Sequence, residues 1–258
     1  MENFTGTEDY QRDFNPRVYL DLYYRNSCQN NEILMFALRN LHKTFHLGDV
    51  TGTTLIDIGS GPTIYQILAA CEKFTDIICT DYTDSNRREL ESWLKNDPGA
   101  FNWRAVIEAA CEIEGNREKW IEKQETVRKG VKRVLKCDVT KSNPVEPLVL
   151  QPSDCLITSL CLEAACKDTP TFRCALKNIT SMIKPGGHLV MITVLQETFY
   201  MVGETKFSCL YLEKTSVEVA VKEAGCSIKY TEICPLSADQ TADCTAVLFL
   251  LARKNNIV

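Results

Sequence analysis

The feature that most constrains this chain is a regular alternation of β-rich and helix-forming segments after residue 50. Short runs rich in Val, Ile, Leu and Thr predict strands, and the segments between them carry apolar residues at helical spacing. Strands that alternate with helices pair in parallel, because each crossover helix returns the chain to the same end of the sheet. The pattern therefore predicts an α/β fold with a seven-stranded, mostly parallel sheet and flanking helices.

The predicted elements follow one another without a linker or repeat, so residues 1–258 are expected to form a single domain. Residues 1–50 precede the first strand and carry a cluster of aromatic side chains, which predicts a helical cap or lid. The predicted strands are residues 53–58, 76–80, 134–138, 154–160, 188–195, 227–233 and 245–252. The predicted helices are residues 32–45, 65–74, 87–95, 118–133, 171–183 and 217–224.

Charge and composition disfavour several classes of protein. With 29 basic and 34 acidic residues the formal net charge is -5, whereas a nucleic-acid binder presents a basic face to phosphates. No apolar run approaches the ~20 residues that span a bilayer, so no membrane partner is expected. The 13 cysteines are odd in number and include no Cys-x-x-Cys pair, which indicates reduced thiols in a cytoplasmic protein.

Metal-ligating side chains are sparse in the sequence. His42 and His46 share the i, i+4 spacing of one helix face, but no cysteine or carboxylate cluster stands near them along the chain. No metal site is therefore expected.

A glycine turn directly follows the first predicted strand, in the run Asp57-Ile58-Gly59-Ser60-Gly61. Two glycines one residue apart let the backbone turn sharply and leave space for a ligand against the main chain. A dinucleotide fingerprint needs a third Gly or Ala three positions after Gly61, and Ile64 stands there, so NAD binding is disfavoured. A nucleoside that carries no pyrophosphate fits the turn better.

Acidic residues also end the next two predicted strands. Asp81 ends the second strand, where its carboxylate is placed to bind two ribose hydroxyls. Asp138 ends the third strand, where it can accept a hydrogen bond from an adenine amino group. Because ligands of such sheets lie at the carboxyl ends of the strands, these acids and the glycine turn predict one nucleoside site.

The Asp-x-Gly-x-Gly motif, the acidic end of the second strand and the turn Pro185-Gly186-Gly187 resemble a class I S-adenosylmethionine-dependent methyltransferase. Residues 14–17, 23–24, 55–66 and 134–139 are similar to the small-molecule amine N-methyltransferases, and this resemblance extends over nearly the whole chain. The family contains the indolethylamine, nicotinamide and phenylethanolamine N-methyltransferases. It implies a Rossmann-like fold with a hairpin after the fifth strand, S-adenosyl-L-methionine as cofactor, S-adenosyl-L-homocysteine as product and a small amine as substrate.

The resemblance also implies which residues bind the cofactor. Those around its methionine part belong to the aromatic cap and the glycine turn: Tyr19, Tyr24, Gly59, Ser60, Thr63 and Tyr65, with Asp57 and Gly61 in the same motif. Asp81 and Asn86 are implied at the ribose, Asp138 and Val139 at the adenine, and Ser159 near the methyl donor.

An ammonium substrate must lose a proton before its nitrogen can attack, so its pocket should hold carboxylates beside apolar walls. Glu163 follows the fourth strand and Glu197 the fifth, and the phenylethanolamine enzyme has glutamates that contact the amine at both matching places. That enzyme uses a further aspartate before the last strand, where this chain has both Asp239 and Asp243, and the choice between them stays open. The candidate catalytic residues are Glu197, Glu163 and Asp243, and Asp239 is a candidate substrate residue.

The other candidate substrate residues bear on specificity. The nicotinamide enzyme binds its carboxamide with an aspartate and a serine at places where this chain has Thr193 and Cys209, which disfavours nicotinamide. Leu160 and Tyr200 are expected to supply apolar and aromatic walls, and residues 114–116, 201–203 and 207–209 are most similar to the indolethylamine branch.

The sequence thus predicts a monomeric N-methyltransferase for small, mostly aromatic amines such as tryptamine. Nicotinamide or pyridine methylation is the alternative within the family. An NAD-dependent oxidoreductase is disfavoured by Ile64, and a binding protein with a methyltransferase fold is disfavoured by the intact glycines and strand-end acids.

Overall fold

The structure is a computed structural model that describes residues 4–25, 31–237 and 240–256. Three helices precede the sheet: α1 (Thr7–Asp13), α2 (Pro16–Tyr23) and α3 (Glu32–His42). The side chains of Asn15 and Asn31 accept hydrogen bonds from the first free N–H groups of α2 and α3, which fixes where these helices begin. The expected helical segment ahead of the first strand is therefore present.

The strands in the described part of the chain are β1 (Thr54–Ile58), β2 (Asp76–Asp81), β3 (Val131–Lys136), β4 (Ser153–Ser159), β5 (Ile183–Leu195), β6 (Phe199–Val202), β7 (Thr205–Ser208), β8 (Cys226–Pro235) and β9 (Ala246–Lys254). Seven of them form one sheet in the order β3-β2-β1-β4-β5-β9-β8. The first five pair in parallel, and β9 runs antiparallel to both β5 and β8. The seven-stranded, mostly parallel sheet is thereby confirmed.

Helices cover both faces of this sheet. They are α4 (Asp84–Leu94), α5 (Arg104–Ile113), α6 (Trp120–Gly130), α7 (Leu162–Ala165), α8 (Thr169–Ser181) and α9 (Lys214–Glu223). One core joins one sheet face to α3, α4, α5 and α6, and a second joins the other face to α8 and α9. Leu55 is buried in the first core and Ile56 in the second, as the alternating side chains of a central strand require.

The strands β6 and β7 form a separate hairpin after β5, as expected. The hairpin packs on the N-terminal helices, because Phe207 contacts Tyr10 and Phe14 at ring-centroid distances of 4.9 and 5.6 Å. Tyr23 adds a hydrogen bond from its hydroxyl to the carbonyl of Met201 at 2.9 Å. The aromatic residues before the first strand therefore hold the cap and the hairpin together.

Two predicted helices are wrong in extent. Residues 65–74 form a short 3-10 turn, Tyr65–Ile67, followed by hydrogen-bonded turns instead of a helix, and the side chain of Gln66 points back to the glycine turn, where it donates to Asp57 at 2.7 Å. The helix predicted over residues 118–133 ends at Gly130, and the edge strand β3 already begins at Val131, where it pairs with Ile77.

Other boundaries differ as well. The strand β5 begins at Ile183 rather than residue 188, because the Pro-Gly-Gly segment forms an irregularity within the strand instead of a turn before it. The sequence pattern did not indicate α5, whose buried face carries Val106, Ile107 and Ala110. Within the described residues, no helix has both the length and the apolar character that crossing a bilayer requires.

Candidate active site

A cavity lies at the carboxyl ends of the parallel strands, next to the point between β1 and β4 where the strand order reverses. The carboxyl end of each of the first five strands of the sheet, or the loop after it, contributes to its lining: Gly59, Asp81, Asp138, Leu160 and Glu197. Side chains of α1, α2 and the hairpin complete the wall. The topology therefore gathers in one place the strand-end residues that the sequence singled out.

The glycine turn leaves open space in this cavity. Gly59 and Gly61 have positive φ angles of 70° and 59°. A Cβ atom on Gly59 would lie 2.1 Å from Sγ of Cys161, whereas a Cβ on Gly61 would meet nothing within 4 Å. Gly59 is thus required by close packing, and Gly61 leaves a cradle against the main chain that a ligand can fill.

Asp57 supports the glycine turn from behind and does not line the cavity. The residue is fully buried, and its carboxylate accepts a hydrogen bond from Nε2 of Gln66. Gln66 also donates to the carbonyl oxygens of Ser60 and Thr63, at 3.2 Å each. Burial raises the pKa of Asp57 to about 7, against the opposing hydrogen bonds from Ser60 and Gln66.

Asp81 joins the glycine turn to the start of α4. Its Oδ2 accepts from the N–H of Gly61 at 2.9 Å, and its Oδ1 accepts from the N–H of Thr83 at 2.9 Å and from Nδ2 of Asn86 at 3.1 Å. Burial raises the pKa of Asp81 in spite of these hydrogen bonds. The buried Oδ1 of Asn86, which borders the cavity, has no hydrogen-bond partner in the described part of the chain. A ribose hydroxyl is a donor that fits this oxygen.

The loops after β3 and β4 supply the other expected cofactor residues. Asp138 and Val139 line the cavity, and the Asp138 carboxylate accepts from the N–H and the hydroxyl of Thr140 at 3.0 and 2.6 Å. Ser159, at the end of β4, shares a 2.8 Å hydrogen bond with the hydroxyl of Tyr65. These contacts fix the orientation of polar groups that face the cavity.

Tyrosines form an aromatic wall on the cap side of the cavity. The ring of Tyr24 lies 5.9 Å from that of Tyr19, 5.8 Å from that of Tyr65 and 5.2 Å from that of Trp103. The ring of Tyr24 is only 5% exposed. The stack therefore excludes water from the region above the glycine turn.

A second aromatic contact closes the cavity at the hairpin. The hydroxyls of Tyr10 and Tyr200 lie 2.7 Å apart, and both residues line the cavity. Tyr200 also stacks on Phe207 at 5.5 Å. Tyr10 of the cap and Tyr200 of the hairpin thus meet directly over the space that remains for a substrate.

Two buried glutamates line the cavity near the hairpin. Glu163 is 2% exposed and Glu197 is 5% exposed. Burial raises the pKa of Glu163 to about 7 despite opposing hydrogen bonds. Burial also raises the pKa of Glu197 to about 8. A hydrogen bond with Cys209 lowers this pKa, and the nearby charge of Glu163 raises it further.

The charge on these glutamates has no cationic counterpart in the cavity. Over the described residues, the lining contains no Lys, Arg or His, and Oε2 of Glu163 lacks a hydrogen-bond partner. A buried carboxylate without a partner is costly, and a bound cation removes that cost. The site therefore favours a cationic ligand that also has an apolar or aromatic part.

Two of the predicted acceptor residues do not lie on the cavity wall, and the position of a third is not described. Asp243 accepts hydrogen bonds from the N–H and the hydroxyl of Thr198 at 2.8 and 2.5 Å, so it fixes the turn before the hairpin, although its charge still acts on Glu197. Thr193 is fully buried in β5 behind Glu163. Asp239 lies outside the described residues. Leu160, Tyr200 and Cys209 do line the cavity.

Several lining residues carry no local sequence signal. Cys161 reaches the cavity because its side chain packs over Gly59, and Ala242 reaches it because the segment before β9 pairs with Tyr200 of the hairpin. Tyr82 lines it directly after Asp81. The position of Tyr82 beside a strand-end acid could have indicated it, whereas the other two depend on contacts distant in sequence.

Three features of the site fit S-adenosyl-L-methionine: the open space at Gly61, the unpartnered amide oxygen of Asn86 and the strand-end acids. Together with the sheet topology, they define a class I S-adenosylmethionine-dependent methyltransferase. A solved N-methyltransferase from Bradyrhizobium japonicum, in complex with S-adenosyl-L-homocysteine, shares the fold at a TM-score of 0.55 and 14% identity, over 93% of this chain and 99% of that one. The chain belongs to the NNMT/PNMT/TEMT family, whose family model matches residues 2–255.

Two relatives illustrate the family membership. An indolethylamine N-methyltransferase from Oryctolagus cuniculus is 52% identical over 97% of this chain and 97% of its own length. A nicotinamide N-methyltransferase from Homo sapiens is 50% identical with the same coverage of both chains. The expected family is confirmed, and these nearly equal identities do not decide between the two acceptors.

Proposed function

We propose that this methyltransferase transfers the methyl group of S-adenosyl-L-methionine to the nitrogen of small, mostly aromatic amines, foremost indolethylamines such as tryptamine. The observation that carries the proposal is the pair of buried glutamates, Glu163 and Glu197, in a cavity whose described lining includes many aromatic and apolar side chains but no Lys, Arg or His. An arylalkylammonium ion has the matching parts: one positive charge with N–H donors, and a flat apolar body.

The proposed cofactor site extends from the glycine turn to the loop after β3. Gly61 offers its open cradle to the methionine part, and Asp81 and Asn86 offer two oxygens and an amide to the ribose. The remaining proposed contacts come from the aromatic wall, the glycine turn and the strand ends: Tyr19, Tyr24, Gly59, Ser60, Thr63, Tyr65, Asp138, Val139 and Ser159. Asp57 does not contact the cofactor in this proposal; it binds Gln66, which in turn supports the glycine turn through a hydrogen bond to Ser60.

The proposed chemistry is an in-line displacement, for which S-adenosyl-L-methionine supplies an electrophilic methyl group on a sulfonium. The chain's own contribution is to align the amine and to free its lone pair. Glu197, with its pKa raised to about 8, is suited to accept the ammonium proton once its carboxyl is ionised, which a bound ammonium favours, and Glu163 is placed to hold the same ammonium group. Tyr10 and Tyr200 close the site against water.

A pyridine such as nicotinamide is the second candidate, because a nicotinamide N-methyltransferase is among the near relatives. Its ring nitrogen is unprotonated at neutral pH, so buried carboxylates contribute nothing to freeing its lone pair. Thr193 lies behind Glu163 and away from the cavity wall, where it is not available to a carboxamide. The geometry therefore favours the amine over the pyridine.

Further properties belong to the same proposal. We infer one catalytic domain that acts as a cytoplasmic monomer without a nucleic-acid partner. The twelve cysteines in the described part of the chain are all free, which suits a reducing compartment. The formal net charge of -5 disfavours a phosphate backbone as partner.

The test is a substrate panel monitored by release of S-adenosyl-L-homocysteine, with tryptamine, phenylethylamine and nicotinamide compared at equal enzyme concentration. We expect kcat/KM to be at least ten times higher for an arylalkylamine than for nicotinamide. A preference for nicotinamide would reverse the choice of acceptor. Turnover of none of the three would count against N-methylation of small aromatic nitrogen compounds.

A further inference from the structure

Outside the candidate active site, the structure brings together three metal-ligating side chains that the sequence leaves apart. His42 ends α3, His46 lies in the π-helical turn Lys43–Leu47 that follows it, and Glu114 comes directly after α5. One ligand atom of each lies within 4.8 Å of the others. The sequence shows no carboxylate cluster near the two histidines along the chain, but in the fold the segment after α5 brings the carboxylate of Glu114 beside them.

The two histidine rings pack against each other, and two of their nitrogens have unused hydrogen-bonding capacity. The two imidazole rings stack with centroids 5.1 Å apart, and Nε2 of His46 lies 3.3 Å from Oε1 of Glu114. Nδ1 of His42 and Nε2 of His46 are both buried, and neither has a hydrogen-bond partner among the described residues. Buried polar atoms normally have a partner, so two unsatisfied nitrogens in stacked imidazole rings beside a carboxylate call for one.

A buried lysine is paired with Glu114 beside the cluster. Lys123 is 3% exposed at its side chain and contacts two carboxylates, Glu114 at 2.8 Å and Glu72 at 2.5 Å. Lys73 also acts on Glu72, so Glu72 has a second cation besides Lys123. If Glu114 turns an oxygen toward a metal ion, Glu72 still keeps Lys123 paired.

We propose that His42, His46 and Glu114 form a binding site for a divalent transition-metal ion, with Zn²⁺ as the best fit. Two imidazole nitrogens and one carboxylate oxygen are a common zinc ligand set, and a water molecule can complete the tetrahedron. Ca²⁺ and Mg²⁺ are disfavoured because they prefer ligand sets made of oxygen.

The proposed ion would tie the end of α3 to α5, and it lies far from the acceptor. The helix α3 has 11 residues, so its ends are ~16 Å apart, and it is the opposite end, with Ile33 and Leu34, that lines the cavity. We therefore assign the site to stability of the cap and not to methyl transfer.

The experiment titrates ZnSO₄ into chelator-treated full-length protein by calorimetry, in a Cys174→Ser background that removes one exposed thiol. We expect one zinc per chain. With zinc 100-fold above its Kd, Tm should rise by about 5–10 °C. His46→Gln should weaken zinc binding at least tenfold, whereas His188→Gln, on β5, should not change it.

Cobalt provides a second measurement that does not depend on any histidine variant. Co²⁺ bound through nitrogen and oxygen shows weak visible bands without the intense near-ultraviolet absorption of a thiolate ligand. Thiolate absorption, an absence of saturable binding, or equal zinc affinity in a His42→Gln/His46→Gln variant that still binds S-adenosyl-L-homocysteine would each overturn the proposal.

Discussion

Replacing Glu197 by glutamine removes the proposed proton acceptor while nearly preserving the size of the side chain. A hydrogen bond to a charged group is worth about 1.5–3 kcal/mol, so the lost ammonium contact should raise KM roughly 10–150-fold. Loss of a positioned base typically lowers turnover about 10²–10⁴-fold. Because Glu163 lines the same cavity and can take over part of the task, we expect the lower end of that range for kcat.

The pH profile separates this role from a merely structural one. The carboxyl of Glu197 becomes a proton acceptor only when it is ionised, so kcat/KM of the wild type for tryptamine should rise with pH and show an inflection near pH 8. In Glu197→Gln that inflection should disappear, and any residual activity should follow Glu163, whose pKa is about 7.

The assay is initial-rate release of S-adenosyl-L-homocysteine from tryptamine between pH 6 and 9. Glu204→Gln is the matched control, because this glutamate is exposed at the turn of the hairpin. Equal kcat/KM for wild type and Glu197→Gln at every pH would refute the reasoning.

Two further predictions concern the cofactor side of the cavity. Gly59→Ala should destabilise the fold by about 2–5 kcal/mol in urea unfolding, because its Cβ would lie 2.1 Å from Cys161 Sγ, whereas Gly61→Ala should cost only about 1–2 kcal/mol. Equal losses would contradict this packing. Asp81→Asn should weaken calorimetric binding of S-adenosyl-L-homocysteine about 10–150-fold. The exposed Asp97→Asn is its control, and an unchanged affinity in Asp81→Asn would exclude the ribose role.

The predictable part of the site is the part that each strand carries in its own sequence. Gly59, Gly61, Asp81 and Asp138 directly follow or end strands, and in a parallel sheet those ends meet at one edge. The strands themselves were predicted within a few residues, except β5, where the Pro-Gly-Gly segment is an irregularity within the strand and not a stop. The local sequence pattern of each strand and the parallel topology of the sheet together explain why these positions could be predicted.

The rest of the site depends on contacts between segments distant in sequence. Asp243 pairs with Thr198, so the hairpin withdraws it from the cavity that its position before β9 suggested. Gln66 lies in a segment predicted as a helix, and its side chain instead donates to Asp57, a contact that the spacing of residues 65–74 does not indicate. Glu114 reaches His46 only because α5 packs beside α3, and no spacing along the chain shows that packing.

The most direct test of the carboxylate–ammonium interaction measures how many protons the enzyme releases when the amine binds. Calorimetric titration of tryptamine into enzyme saturated with S-adenosyl-L-homocysteine, in several buffers of different ionisation enthalpy at pH 7, gives the protons released per amine bound. Glu197, with a pKa of about 8, is mostly protonated at that pH, and a bound ammonium favours its ionised form. We expect roughly one to one and a half protons released by the wild type and at most about half a proton, from Glu163, by Glu197→Gln. No proton release by the wild type, or equal release by both proteins, would contradict the role assigned to Glu197.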